Sequence, residues 1–487
     1  MAVTCHDIII IGAGFGGIGL GRHLSAADRD YLILEQAAEV GGVWRDNRYP
    51  GAACDVPSHL YSFSFAADYP WQRRFGTQAE IFAYLKHCSD RFSVTPHVRF
   101  RQRVLRAAYE PLRRRWQLTT ATGEVFECRI LVTATGQLSR PALPGLPGLE
   151  TFAGQAFHSA NWPVPDQLDG RRVIVIGTGA SAIQFVPEIA PRVSELTVMQ
   201  RSAPFVISKP DWRYGPIRQW LFRHFPWLVT LHRAWIYTLF EHRVPGFRGA
   251  APWIMKLLEW NFRRQLRRQV PDPSLRQKLL PDYPMGCKRI LLSDDWYPTL
   301  VRDNVRVETT AIRAVEAEGL RLEDNRLLPA DTLIFGTGFR ATDFLSPIQV
   351  LGRDGLCLDD FWRQGARAHL GITVSGFPNL FMLYGPNTNL GHNSIIYMLE
   401  SQFNYILDAI RLVLDEGVPV LEVKPVAEQR YNESLQASLA GTVWQQGCHS
   451  WYLNEQGINT NNWPDFTFVY RHRTRHLRLD DYDCHPT

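Results

Sequence analysis

Residues 7–24 read DIIIIGAGFGGIGLGRHL. The apolar run from Ile8 to Ile11 ends in Gly12, Gly14 and Gly17, spaced GxGxxG, and the apolar residues beyond them recur at helical spacing. A strand, a glycine turn and a helix in this order suit a dinucleotide pyrophosphate. The first glycine permits the tight turn, the second lets the backbone approach the phosphates, and the third lets helix and strand pack closely. Free N–H groups and the dipole at the helix N-terminus favour negative charge there. Glu35 closes the next apolar run, YLILE, about 20 residues further on, where a carboxylate binds ribose hydroxyls.

A second unit stands at residues 172–189, RVIVIGTGASAIQFVPEI, with Gly177, Gly179 and Ala182 in the GxGxxA variant. No acid closes the run after it, LTVMQR; Gln200, Arg201 and Ser202 stand there instead. A carboxylate repels a 2′-phosphate, whereas an arginine pairs with it, so this second site is expected to take NADPH in preference to NADH. Two more segments, 129–136 (RILVTATG) and 332–339 (TLIFGTGF), each end a strand in a Thr-Gly turn. Strands alternating with helices imply an α/β fold with two Rossmann-like dinucleotide-binding domains. The expected division is a discontinuous FAD-binding domain at 1–145 and 330–487 and a Pro- and Gly-rich linker at 146–154. An NADP-binding domain is expected at 155–329, with a helical insertion at about 208–285.

The chain has 487 residues, 45% of them hydrophobic and 21% charged. That composition is globular and excludes disordered, collagen-like and low-complexity classes. A net charge of +5 does not by itself imply a nucleic-acid partner, and none is expected. The positive charge is local: residues 209–289 hold 16 Lys or Arg and 5 Asp or Glu. The expected reading is a solvated helical face whose arginine stems cover apolar surface. An anionic cofactor or a membrane surface is the alternative, since residues 220–240 are apolar enough to touch a bilayer. The eight cysteines are scattered, without CxxC or zinc spacing. A disulfide scaffold, a structural zinc and a dithiol redox centre are not expected, and the protein is expected to be reduced and metal-free. There is no signal-peptide pattern and no apolar run of about 18 residues, so a cytoplasmic protein without a membrane span is expected.

Two dinucleotide sites suggest a flavoprotein holding FAD in the first and NADPH in the second. A disulfide reductase, a flavin monooxygenase and an NADPH oxidase or redox sensor are the classes left open, and the missing CxxC opposes the first. Two longer patterns narrow this. Phe152, Gly154, His158, Trp162 and Pro163 spell FxGxxxHxxxWP; Gly41-Gly42-Val43-Trp44, Tyr49-Pro50-Gly51 and Asp55 spell GGxW, YPG and D at set spacing. In both, the chain resembles the class B flavoprotein monooxygenases and, within them, the type I Baeyer–Villiger monooxygenases. Gly336 stands where that family often has Ala, and Ile290 where Pro often follows the arginine described next.

The resemblance implies a ketone substrate, O2 as oxidant, and an ester or lactone formed through a C4a-peroxyflavin. Heteroatom oxygenation is the alternative that uses the same intermediate. The family's catalytic arginine lies in Gly-x-Lys-Arg, matched by Gly286, Cys287, Lys288 and Arg289. An always-charged guanidinium is a reasonable stabiliser of a negative reacting group. Asp55 is expected to hold Arg289, and Lys288 to meet the 2′-phosphate with Arg201. FAD contacts are expected from Gly12, Gly14, Gly17, Glu35, Trp44, Asp55, Tyr61 and Val104. NADP contacts are expected from Gly177, Thr178, Gly179, Ala180, Ser181, Arg201, Ser202, Lys288 and Trp451. His158 and Trp162 are expected to support the domain arrangement. The ketone is expected to be apolar, and the protein a monomer or homodimer.

Overall fold

Strand β1 (Thr4–Ile11) is apolar through its C-terminal half because both of its faces are covered: Ile8, Ile9 and Ile10 are fully buried. The computed structural model describes residues 3–448 and 450–484. After β1 come helix α1 (Phe15–Ala26), β2 (Tyr31–Leu34), α2 (Gln78–Arg91), β3 (Val98–Arg99), β4 (Val104–Glu110), β5 (Arg115–Thr120) and β6 (Val125–Thr133). β1 lies between β6 and β2, parallel to both, with Ile8 opposite Ile130 and Tyr31. β4, β5 and β6 form an antiparallel meander on the far side.

The second sheet is wholly parallel. Along the chain come β7 (Gln155–His158), β8 (Arg172–Ile176), α3 (Ala182–Ile189), β9 (Glu195–Met199), the long inserted helices α4 (Pro216–His224), α5 (Pro226–Glu241) and α6 (Pro252–Gln269), then β10 (Val305–Glu308) and β11 (Thr332–Phe335). The strand order is β10-β9-β8-β11-β7. The chain then returns to the first sheet. β12 (Gln349–Leu351) pairs with β4, β13 (Leu380–Met382) with β6, and helix α7 (Ile395–Leu414) packs on α1.

Two expected boundaries differ from this arrangement. Thr332–Phe335 was expected to open the return at 330, yet it is buried in the second sheet between β8 and β7. A short, wholly apolar run reads alike in either parallel sheet, and only its partners tell the two apart. The 146–154 stretch is no loose linker either. Leu146, Leu149 and Phe152 pack into the second sheet's core, and Val315 N–H donates to the Pro147 carbonyl at 2.8 Å.

The insertion is seated by its inner face. On α5, Ile236 is fully buried, Arg233 donates to the Ser62 carbonyl at 3.0 Å, and the Tyr237 and Thr467 hydroxyls lie 3.0 Å apart. Among the described residues, no helix is long and apolar enough to cross a membrane.

The two sheet units meet at the Tyr-Pro-Gly loop. Tyr49 Oη donates to Gln184 Oε1 at 3.1 Å, and Gln184 Nε2 donates to the Ala53 carbonyl at 2.9 Å. Gly51 has φ +74°, and a Cβ there would sit 2.6 Å from the Gln184 carbonyl oxygen on α3. Only glycine lets the loop lie this close to the helix. Gly51→Ala is expected to lose on the order of 2 kcal/mol through left-handed strain and overpacking. Tyr49→Phe is expected to lose about 1 kcal/mol, one hydrogen bond's worth. Thermal unfolding midpoints check this; a Gly51→Ala midpoint equal to wild type would contradict the contact.

Candidate active site

The first glycine turn is built tightly. Gly12 has φ +104°, and a Cβ at Gly17 would lie 2.0 Å from the Gly12 carbonyl oxygen. The start of α1 can therefore press against the end of β1. Gly14 caps the helix, and its missing Cβ would meet nothing nearer than Gly42 Cα at 3.8 Å. No acidic residue occupies the first turn. The result is an open, uncharged N-terminus of the kind that receives a pyrophosphate. Glu35 is buried at the end of β2, accepting from Ala13 N–H at 2.8 Å and Ala37 N–H at 2.9 Å. Arg45, which the sequence reading passed over, pairs with Glu35 at 3.1 Å and is itself buried. Gln102 N–H donates to the Glu35 carbonyl, so the strand end that carries Val104 runs beside this carboxylate. The Val104 side chain, however, lies in the core of the first sheet, so only its backbone is left to face a ligand.

Trp44 and Tyr61 form a pair on the other side of the turn. Trp44 Nε1 donates to Tyr61 Oη at 3.1 Å, and the rings meet edge to face at 5.7 Å. Burial holds the Tyr61 phenol well above its ordinary pKa, and hence neutral.

In the second unit, Gly177 has φ +110° and Thr178 Oγ1 donates to the Ser202 carbonyl at 3.2 Å, which ties the glycine turn to the Arg201-Ser202 strand end. Gly179, Ala180 and Ser181 lead into α3, and Gly179 and Ala180 are exposed. Lys288 Nζ donates to Ser202 Oγ at 3.0 Å and stands 4.3 Å from the Tyr283 ring centre. Its pKa is held below the usual lysine range, by partial burial first and by the Arg201 charge second. Among the described residues neither Lys288 nor Arg201 has a carboxylate at ion-pair distance. Two cations thus stand close enough to feel each other, with Asp282 nearby but ion-paired to neither, an arrangement that fits a phosphate.

Arg289, the next residue, turns the other way. Its Nε and Nη2 donate to the same Asp55 oxygen, at 2.8 and 2.6 Å. Asp55 raises the Arg289 pKa further above the ordinary arginine value. Burial pushes the Asp55 carboxyl up, but the Arg289 charge and hydrogen bonds outweigh it and hold Asp55 below its ordinary value. Lys209, which the sequence reading did not single out, adds to that lowering. Tyr384 and Tyr452 lie close enough to feel the Arg289 charge. Burial pushes Tyr452 up to about 12, and Arg289 works against that rise. Tyr384 Oη donates to Asn389 Oδ1 at 2.8 Å.

The loop that carries Arg289 is tied covalently. A disulfide joins Cys287 to Cys448, across 161 residues of sequence. This corrects the expectation of a fully reduced chain without disulfides. Spacing gave no sign of the bond because the two cysteines belong to loops that only the fold brings together, with Cα atoms 6.3 Å apart. Trp451 lies three residues beyond Cys448 and packs on Tyr452 at 4.5 Å. Asn461 Nδ2 donates to the Trp451 carbonyl at 3.1 Å, while Asn389 and Asn462 bridge neighbouring loops side chain to side chain. This buried asparagine cluster was not visible in the sequence, where asparagine reads as a turn residue.

His158 sits on the edge strand of the second sheet, not among the charges. Its Nδ1 accepts from Ala160 N–H at 3.1 Å, and burial keeps its pKa below the ordinary histidine value. Trp162 Nε1 donates to Asp166 at 3.2 Å and its ring packs against Phe185 of α3. Among the described residues no cluster suited to a metal ion exists.

Comparison with known proteins agrees with this geometry. Residues 5–347 match the family model described as flavin-binding monooxygenase-like. A Baeyer-Villiger monooxygenase of Pseudomonas aeruginosa is 46% identical over 99% of this chain and 92% of its own. The crystal structure of cyclohexanone monooxygenase from Rhodococcus sp. Phi1 bound to NADP+ superposes with a TM-score of 0.89 at 28% identity, covering 97% of each chain. The crystal structure of OTEMO in complex with FAD and NADP gives 0.88 at 28% identity over the same shares. With two dinucleotide-binding domains and a family match over most of its length, the chain belongs to the flavin-binding monooxygenase-like family.

Proposed function

We propose that the protein is a Baeyer–Villiger monooxygenase that converts an apolar ketone, with NADPH, O2 and a proton, into an ester or lactone, NADP+ and water. The observation that carries this reading is the split orientation of Lys288 and Arg289. One faces Ser202 in the second unit and the other faces Asp55 in the first. When bound, FAD supplies the oxygen-activating chemistry and NADPH the hydride.

The chain's residues would hold these groups as follows. Gly12, Gly14 and Gly17 cradle the FAD pyrophosphate, Glu35 takes the ribose, and Trp44, Tyr61 and Asp55 stand toward the flavin side. Gly177, Thr178, Gly179, Ala180 and Ser181 cradle the NADP pyrophosphate. Arg201, Ser202 and Lys288 take the 2′-phosphate, and Trp451 stands at the nicotinamide side. Arg289 is the catalytic residue. It presents a charge that no accessible pH removes to the negative charge that develops at the reacting oxygens. Asp55 keeps the guanidinium in place by binding two of its nitrogens through one oxygen. Burial keeps Tyr384 and Tyr452 neutral, so neither phenol adds a negative charge beside Arg289. All of these residues come from one chain, so a monomer and a homodimer would each hold complete sites. We place the reaction in the cytoplasm, where NADPH is the working reductant.

Product mass is the decisive measurement. Purified protein with FAD, NADPH, air, a panel of apolar ketones and one aryl sulfide is expected to add one oxygen to a ketone as ester or lactone. Sulfoxide as the only product would instead make this a heteroatom oxygenase. Arg289→Ala is expected to keep FAD and NADPH-driven flavin reduction while ester formation falls by about a hundred-fold or more. Ester turnover within a few-fold of wild type would remove Arg289 from the mechanism. Lys288→Ala and Arg201→Ala are each expected to raise KM for NADPH by roughly ten-fold or more, the loss of a charge-assisted hydrogen bond, and to leave KM for NADH nearly unchanged. Equal effects on both nucleotides would contradict the assignment of the 2′-phosphate.

A further inference from the structure

We propose that the outward face of the inserted helices docks the protein onto an anionic lipid surface, lying in the membrane interface and not spanning it. The key element is α5. Its solvent-facing positions recur at intervals of three and four residues, and they are occupied by Trp227, Thr230, Leu231, Ala234, Trp235, Thr238 and Leu239. No charge stands on this stripe. A helix face meant for water carries charged and polar residues, whereas α5 is apolar outside as well as on the inner side that Val229, Ile236 and Phe240 bury. Trp227 is 60% exposed and Trp235 57%.

The orientation of this face is not accidental. The opposite side of α5 is held by the Arg233, Ile236 and Tyr237 contacts described above, which leave the apolar stripe no freedom to turn inward. Helix α4, which packs on α5, continues the pattern, and α6 repeats it. Ile217 on α4 is 77% exposed and Trp220 53%, while Trp253 on α6 is 64% exposed and Trp260 56%. Tryptophan, with an apolar body and one N–H, is the side chain most at home at a membrane–water boundary. An exposed apolar stripe of this kind marks an interaction site.

Charge identifies the partner. Residues 216–269 hold ten Lys or Arg and two Asp or Glu. Both acids are already engaged: Glu241 is buried against Asn393 and Thr467, and Glu259 pairs with Arg263. Among the described residues Arg223, Lys256, Arg264, Arg267 and Arg268 have no carboxylate at ion-pair distance. The helices therefore offer neutral apolar side chains flanked by unpaired cations, which complements acyl chains beneath anionic headgroups. A second copy of this chain fits less well. A two-fold contact sets a patch against itself, so this cationic rim would meet its own charge. Such a position places the protein where an apolar ketone would concentrate, though the docking itself does not depend on the reaction proposed above.

The test is co-sedimentation of the FAD-loaded full-length protein with mixed phosphatidylglycerol/phosphatidylcholine vesicles, alongside pure phosphatidylcholine vesicles. Binding to the anionic vesicles is expected, weakening as salt rises, with a blue shift of tryptophan fluorescence. The double variant Trp227→Ser/Trp235→Ser is expected to bind at least about ten-fold more weakly while its FAD content and NADPH oxidation stay at wild-type levels. Absence of sedimentation with anionic vesicles would overturn the proposal, as would binding that the double substitution leaves untouched. A concentration-dependent dimer that disappears in the double variant would assign the face to a second copy and equally overturn it.

Discussion

Two nitrogens of Arg289 close on a single oxygen of Asp55, and the rest of the site is arranged around that contact. Such a partly exposed pair is a poor stabiliser in itself, because water screens its attraction and the lost solvation offsets much of the rest. Its value is positional. Asp55 ends a loop of the first unit that is pressed onto α3 by Tyr49 and Gly51, and Arg289 ends a loop tied by the Cys287–Cys448 bond. Both partners are thus delivered by segments that are themselves held, and the guanidinium loses little further freedom on forming the pair. A residue's width away, Lys288 faces Ser202 of the opposite unit, so a short stretch of backbone presents one cation to each unit.

What could be read from the sequence was whatever is written locally. The two glycine turns, Glu35 and Arg201 each depend on a few neighbouring residues, and each stands in the structure at the strand end where the spacing put it. The YPG and FxGxxxHxxxW patterns were legible as patterns, but their physical meaning was not. Gly51 exists for a helix carbonyl 133 residues away, and Gly154 for the carbonyl of Asp331. Contacts between distant loops left no trace at all. The disulfide and the asparagine cluster around Asn389 involve residue types that occur everywhere, and only the folded backbone makes them meet. The Thr332–Phe335 strand was misplaced for the same reason, since its apolar pattern names no partner.

The insertion shows the opposite limit. Its composition was plain from the start, but composition does not say which side of a helix faces out. A solvated helical face was expected, with arginine stems over apolar surface. Helix α6 has that face, with Arg263, Arg264, Arg267 and Arg268 exposed, but α5 turns its one arginine, Arg233, inward and leaves tryptophan and leucine outside. A charged side chain committed to the interior frees the exterior to be apolar. That inversion can be seen only when the seating of the helix is known.

The return of the chain to the first sheet also bears on how the protein is made. β6 is paired by β5 along its first half and by β13 along its last three residues, Leu131, Val132 and Thr133. On the ribosome, β13 emerges only after roughly 250 further residues, about 12 to 50 s at ordinary elongation rates. Through that interval the nascent chain carries an apolar sheet edge with no neighbour, the kind of edge that recruits strands from other chains. The second sheet, whose strands lie within one continuous stretch, can close first and occupy the waiting time. Yield in a host cell should accordingly depend on translation speed and chaperone supply more than on the stability of the finished protein.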